Sequence, residues 1–205
     1  GPEIARAFDR ADVLALEVDL EAVDEETRID MGLRYAMLEW GETLEDFVSP
    51  ETMELLEAWL DSASLTSQER AAYYRNRPWS LAGAIVDRAL EESGAHRELG
   101  VETYFLGLAD GRKRVAGLET IDEHTYSPSS FSQPLQEEML LQALAGGDMQ
   151  ASVMQLLEAW KRGDDEDLLA LAIGAEASEE YLETVLYARN ELMVERLMEL
   201  LAEEP

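Results

Sequence analysis

Cysteine is absent from this 205-residue sequence, and lysine and histidine occur only twice each, as Lys113, Lys161, His96 and His124. Without cysteine there is no disulfide, no thiol nucleophile and no thiolate-held zinc. No apolar run approaches the ~18 residues that a membrane-crossing helix needs, so no membrane span is expected. Positive charge is scarce: 45 acidic against 16 basic residues give a formal charge of −29. A surface of that sign repels phosphate backbones and anionic lipid, so nucleic acid is excluded as an expected partner. The ordinary use of such charge is solvation of the surface.

What is present is enough apolar material for a core, 46% of residues, at a length that suits one domain. The clearest strand runs from Val13 to Leu20. Period two puts Leu14, Leu16, Val18 and Leu20 on one face and Val13, Ala15, Glu17 and Asp19 on the other. An apolar strand that ends with two carboxylates on one face is unusual. A second strand is expected from Lys113 to Glu119, with Val115, Gly117 and Glu119 on one face.

Most of the rest reads as helix. Residues 3–11 carry Ile4 and Phe8 one turn apart. Residues 24–98 form a helical block, with a start signal at Ser49-Pro50-Glu51 and a capping-box pattern at Thr66–Glu69. Gly100–Ala109 has apolar residues at helical spacing, and Asp110-Gly111 is a turn. Residues 125–134, with two prolines and four serines, read as a surface loop. Helices follow to the end, first with a stripe of Met149, Val153, Leu156, Leu157 and Trp160, last with Val194, Leu197, Met198 and Leu201. Trp40, Trp59, Trp79 and Trp160 are expected to pack in the core or between helices. The fold class is therefore α/β, predominantly helical: a small sheet, with strands near 12–19 and 113–119, covered by many helices.

Four stretches, taken in order, resemble the TraB/GumN family, relatives of the Tiki proteases. They are Arg10-Ala11-Asp12-Val13-Leu14-Ala15-Leu16-Glu17-Val18-Asp19; Gly100 to Leu106 followed by Val115-Ala116-Gly117-Leu118-Glu119-Thr120; Leu156 to Asp164; and Arg189-Asn190 with Met193 one turn later. The resemblance implies one TraB/GumN-like domain over 3–205, with 24–98 as a helical insertion. It implies a divalent ion in the parent protein, Mn, Zn or Co, and hydrolysis of peptides or proteins. The family pattern also carries two Gly-x-x-His motifs, one before the first acidic strand and one after the last helix. Neither occurs here; in Gly94-Ala95-His96 the glycine stands one place too close. The expectation is an internal portion of the domain, catalytically incomplete as this chain. The resemblance leaves cell-envelope, secreted and cytoplasmic placement all open.

Glu17 and Glu119 close the two strands. If those strands are parallel neighbours, both carboxylates meet at the sheet edge where open α/β folds place ligands, as metal ligands or as one ligand and one general base. The plain alternative is solvated strand ends or partners for arginine. Arg189 is expected to bind a carboxylate bidentately, either a substrate's or that of Glu119, and Asn190 to orient a ligand or an oxyanion; the alternative is a structural tie between the last helix and the sheet. Asp19 is a weaker candidate of the same kind as Glu17. His124, alone in a polar stretch, reads as a surface residue rather than a ligand. Arg75-Asn76-Arg77 could grip an acidic peptide, or pair with nearby acids.

A second function remains open: a non-catalytic module whose helices over 24–98 form a groove for a peptide or protein. A simple acidic cation binder is a third, without EF-hand spacing to support it. Unpaired sheet edges favour pairing with another chain, so a homodimer is expected.

Overall fold

The structure, a computed structural model, describes residues 2–96, 99–147, 149–173 and 177–203. The chain opens with α1 (Pro2–Arg10), then β1 (Val13–Leu16). α2 (Glu25–Met31) starts at Asp24, whose carboxylate accepts from the Thr27 N–H, and runs into one wide turn at Gly32–Ala36. A short turn of 3-10 helix (Leu44–Asp46) precedes α3 (Pro50–Ser62), α4 (Ser67–Tyr73) and α5 (Pro78–Glu92). Both start signals read from this block act as expected. The Ser49 hydroxyl accepts from the Thr52 N–H, and Thr66 and Glu69 cap each other reciprocally.

α6 (Val101–Ala109) leads into β2 (Arg114–Gly117). Then follow α7 (Ile121–Ser129), α8 (Gln133–Ala145), α9 (Met149–Arg162), α10 (Asp165–Ile173) and α11 (Glu179–Leu182). α11 continues through a wide turn (Glu183–Tyr187) into α12 (Ala188–Glu203).

β1 and β2 form a two-stranded parallel sheet, with Val13 opposite Arg114 and Leu16 opposite Gly117. The regular pairing is shorter than the alternation suggests, but two further backbone bonds, Leu118 N–H to Leu16 O at 2.8 Å and Glu119 N–H to Glu17 O at 2.7 Å, carry the strands in step to both glutamates. Past Glu17 the chain turns: the Asp19 carboxylate accepts from the Ala22 N–H and takes no part in the strand-end cluster.

The main core lies away from the sheet. Leu56 and Leu60 of α3, Leu81 and Ile85 of α5 and Leu140 of α8 pack together with Leu38, Leu44 and Val48. α3 and α5 thus turn their apolar faces to one shared cluster with α8. Residues 36–38 and 75–77 run side by side, Leu38 N–H to Arg75 O and Arg77 N–H to Ala36 O, each at 2.8 Å. Arg77 also donates to Met37 O and lies over the Phe47 ring, so this basic cluster ties the block together.

Two expectations need correction. Residues 125–134 are not a loop: α7 runs through the first half and α8 begins at Gln133. Thr120 and Glu123 cap α7 reciprocally, an arrangement worth ~1 kcal/mol, and Pro128 falls in the last turn, next to the helix end at Ser129. Two of the tryptophans are not packed: Trp40 is 97% exposed in a turn, and Trp160 is half exposed on α9. Trp59 does pack against Tyr73, and Trp79 donates to Tyr35 O.

Candidate functional site

The site is built at the C-terminal end of the parallel strands. Glu17 directly follows β1 and Glu119 comes two residues after β2, and the Glu119 N–H to Glu17 O bond holds the two together at the same end of the sheet. The capping box starts α7 straight after Glu119, which turns His124, five residues on, back toward the Glu119 carboxylate. α12 crosses this end and supplies Arg189.

Arg189 holds the group together. Its Nε and Nη2 donate to Glu119 Oε1 and Oε2 at 2.7 and 2.6 Å, the bidentate fork expected of an arginine–carboxylate pair. The same Nη2 donates to Glu17 Oε2 at 2.9 Å and lies 3.3 Å from His124 Nδ1. His124 Nδ1 is in turn 3.4 Å from Glu119 Oε2. The Glu119 side chain is almost fully buried, 3% exposed, while that of Glu17 is 57% exposed. Burial acts to raise the Glu119 carboxyl; the hydrogen bonds and charge of Arg189, then those of His124, outweigh it and hold the carboxyl below its usual value.

A second arginine braces the frame. Arg196 donates to Leu118 O at 2.7 Å and to both oxygens of Glu123 at 2.7 and 2.8 Å. It joins α12 to the end of β2 and to the start of α7. The Arg196 hydrogen bonds, with those from Thr120, hold the Glu123 carboxyl down to about 2.

Gly117 sets the spacing of the two strand ends. A Cβ there would lie 3.1 Å from both the Asp19 nitrogen and the Glu119 oxygen, both backbone atoms. Gly117→Ala is therefore expected to cost about 1–3 kcal/mol, the usual range for overpacking, and to shift Glu119 relative to Glu17. Urea unfolding measures the first, and a changed His124 ring signal by NMR the second.

Of the residues singled out from sequence, Glu17, Glu119 and Arg189 come together. Asn190 does not join them: it is exposed, and consecutive helical side chains diverge by about 100°. His124 is exposed, as its sequence setting suggests, and lies beside Glu119 and Arg189 as well. The signal that could have placed it was Thr120-x-x-Glu123, a capping box that turns the polar stretch into a first helical turn. Arg196 was not recoverable, since its partners lie 73 and 78 residues away.

One donor atom from each of Glu17, Glu119 and His124 lies within 4.8 Å of the others. Two carboxylates and one imidazole suit Mn, Co or Zn in kind. Glu17 Oε1 and His124 Nε2 have no hydrogen-bond partner among the described residues. The cation the cluster holds is the Arg189 guanidinium, so an ion would share the free donors or displace that group from them.

No curated protein and no solved structure matches this chain. The TraB/PrgY/gumN family matches it over residues 1–205. That span takes in both strands, the capping box and the helix that carries Arg189 and Arg196, and the chain belongs to the TraB/PrgY/gumN family.

Proposed function

We propose that the Glu17–Glu119–His124 cluster is the ion-holding centre of a metal-dependent hydrolase that acts on peptides or proteins. The observation that carries this reading is convergence: three ligand-type side chains, from two parallel strand ends and the helix after them, within 4.8 Å at one edge of the sheet. That edge is where open α/β folds bind ligands. A bound divalent ion supplies Lewis acidity and lowers the pKa of a coordinated water.

The chain's own groups divide the remaining work. Glu119, buried and gripped on both oxygens, is the fixed ligand. Glu17, exposed and with no hydrogen bond at Oε1 among the described residues, would complete the ion's ligands through one oxygen and accept a proton from water on the other. Arg189 keeps the Glu119 carboxylate ionised and bridges it to Glu17.

The test is peptide cleavage in the full polypeptide, read by mass spectrometry after EDTA treatment and addition of Mn²⁺, Zn²⁺ or Co²⁺. Cleavage should return with the ion in the wild type and fall by roughly 100-fold or more in Glu17→Gln, the scale of a lost general base. Cleavage that persists in EDTA, or an ion-dependent rate unchanged by Glu17→Gln, would overturn the proposal.

A further inference from the structure

We infer that Ser127 of α7 is a positioning residue for the site: through Thr184 O it holds the wide turn Glu183–Tyr187 in the phase that aims Arg189 at Glu119. The inference deepens the ion-centre reading, on which its functional meaning rests; the geometry behind it involves no ion.

The segment from α11 to α12 runs alongside α7 in the opposite direction and grips both of its ends. Just past the end of α7, Tyr181 stacks on Phe131 with ring centroids 5.9 Å apart, and Glu180 accepts from the Ser132 hydroxyl at 2.7 Å. Just before its start, Arg189 forks onto Glu119 and Arg196 holds Leu118 O. Between these two grips the Ser127 hydroxyl donates to Thr184 O at 3.1 Å.

An unbroken α-helix would split the grips. Tyr181 and Arg189 are eight positions apart, which at about 100° per residue leaves them about 80° apart around the axis. The wide turn takes up one extra residue: the Ala188 N–H reaches back five residues, to Glu183 O, rather than four. With one residue out of the count, Tyr181 and Arg189 come within about 20° of each other, and one side of the segment meets both ends of α7.

A turn of this kind is rare against regular helix and recurs at functional sites. Two side chains bond its carbonyls: Ser127 at Thr184 O, and Arg189 itself, whose Nη1 is 3.4 Å from Val185 O. The arginine is the group being aimed, so the outside hold comes from Ser127. Other hydroxyls of α7 stay within their own helix, Thr125 on Ile121 O and Ser129 on Tyr126 O. That of Ser127 crosses to the turn. The helix that carries His124 thereby also sets the phase of Arg189, although Ser127 has no hydrogen bond to Glu17, Glu119 or Arg189 among the described residues.

The experiment is NMR of the Arg189 Nε–H, the donor to Glu119 Oε1 at 2.7 Å, on the whole chain without added metal. Its signal is assigned by its loss in Arg189→Lys. Ser127→Ala should speed exchange of this hydrogen with water roughly three- to tenfold, the effect of losing one hydrogen bond's worth of ordering, and should shift its signal. Ser127→Thr keeps the hydroxyl and should restore wild-type exchange. Ser129→Ala removes a hydroxyl from the same helix but none from the wide turn, and should leave the signal unchanged.

Wild-type exchange in Ser127→Ala would overturn the inference. So would an equal change in Ser129→Ala, or a Ser127→Thr that behaves like Ser127→Ala. Mn²⁺ titration of the wild type decides the ion centre separately. If no Mn²⁺ binds while Ser127→Ala frees the Nε–H, the ion centre falls and the aiming of Arg189 stands. If Mn²⁺ binds and the Nε–H ignores Ser127→Ala, the positioning role falls and the ion centre stands.

Discussion

Replacing Arg189 with leucine should remove about 3–5 kcal/mol of folding stability at neutral pH, the usual result of stranding one member of a buried ion pair. The cost falls on Glu119, whose side chain is 3% exposed and whose two oxygens both accept from Arg189. Glu17 adds little to it, because an exposed carboxylate returns to water.

The variant should also change the sign of the site's pH dependence. In the wild type the Glu119 carboxyl is held below its ordinary value of 4.5. Its contribution is fully present above that value and is lost as pH falls through the lower, folded-state one. Without Arg189, burial opposes ionisation with only His124 to counter it, and the carboxyl moves above 4.5. The folded state then gains from protonation, so lowering the pH from 7 to 5 should recover part of the lost stability. Urea unfolding at both pH values, as a difference between variant and wild type, isolates this from the relief of general charge repulsion that both proteins share. A variant as stable as the wild type at pH 7 would show that Glu119 is not desolvated.

Leu140→Ala should lose about 2–5 kcal/mol, the range for emptying a buried leucine site. Leu140 is fully buried and sits where α8 meets α3 and α5. Its neighbours there share no side chain with the Glu17–Glu119–Arg189 group. The loss should therefore appear in urea unfolding while the His124 ring signal and the ion affinity of the folded protein stay as in the wild type. A large change in either would mean that the helical core sets the geometry of the site, contrary to the bracing assigned to Arg196 and Gly117.

How much of this could be read in the sequence varies with the range of the interaction. Period-two alternation in Val13–Leu20 gave the strand, and the carboxylates ending both strands gave the pair that meets at Arg189. Local capping signals at Ser49 and Thr66 placed helix starts correctly, because the side chain and the backbone it caps are neighbours in the chain. The same signal at Thr120–Glu123 was masked by the proline and serine content that follows it, and with it went the position of His124. The size of Trp40 favours burial in general, but in this fold its turn projects it into solvent. The clamp of Arg196 on Leu118 O and Glu123 depends on where α12 crosses the sheet, which no local pattern encodes.

The most direct test of the ion centre is Mn²⁺ titration of the chain, followed by electron paramagnetic resonance, for the wild type and Glu17→Gln. Glu17 is exposed, so its loss should leave the fold intact. The wild type should bind one ion and Glu17→Gln should bind it roughly tenfold more weakly or worse, as expected when one of three donors loses its charge. Equal Mn²⁺ affinity in the two proteins, or no binding by the wild type, would contradict the assignment of Glu17, Glu119 and His124 as an ion-holding group.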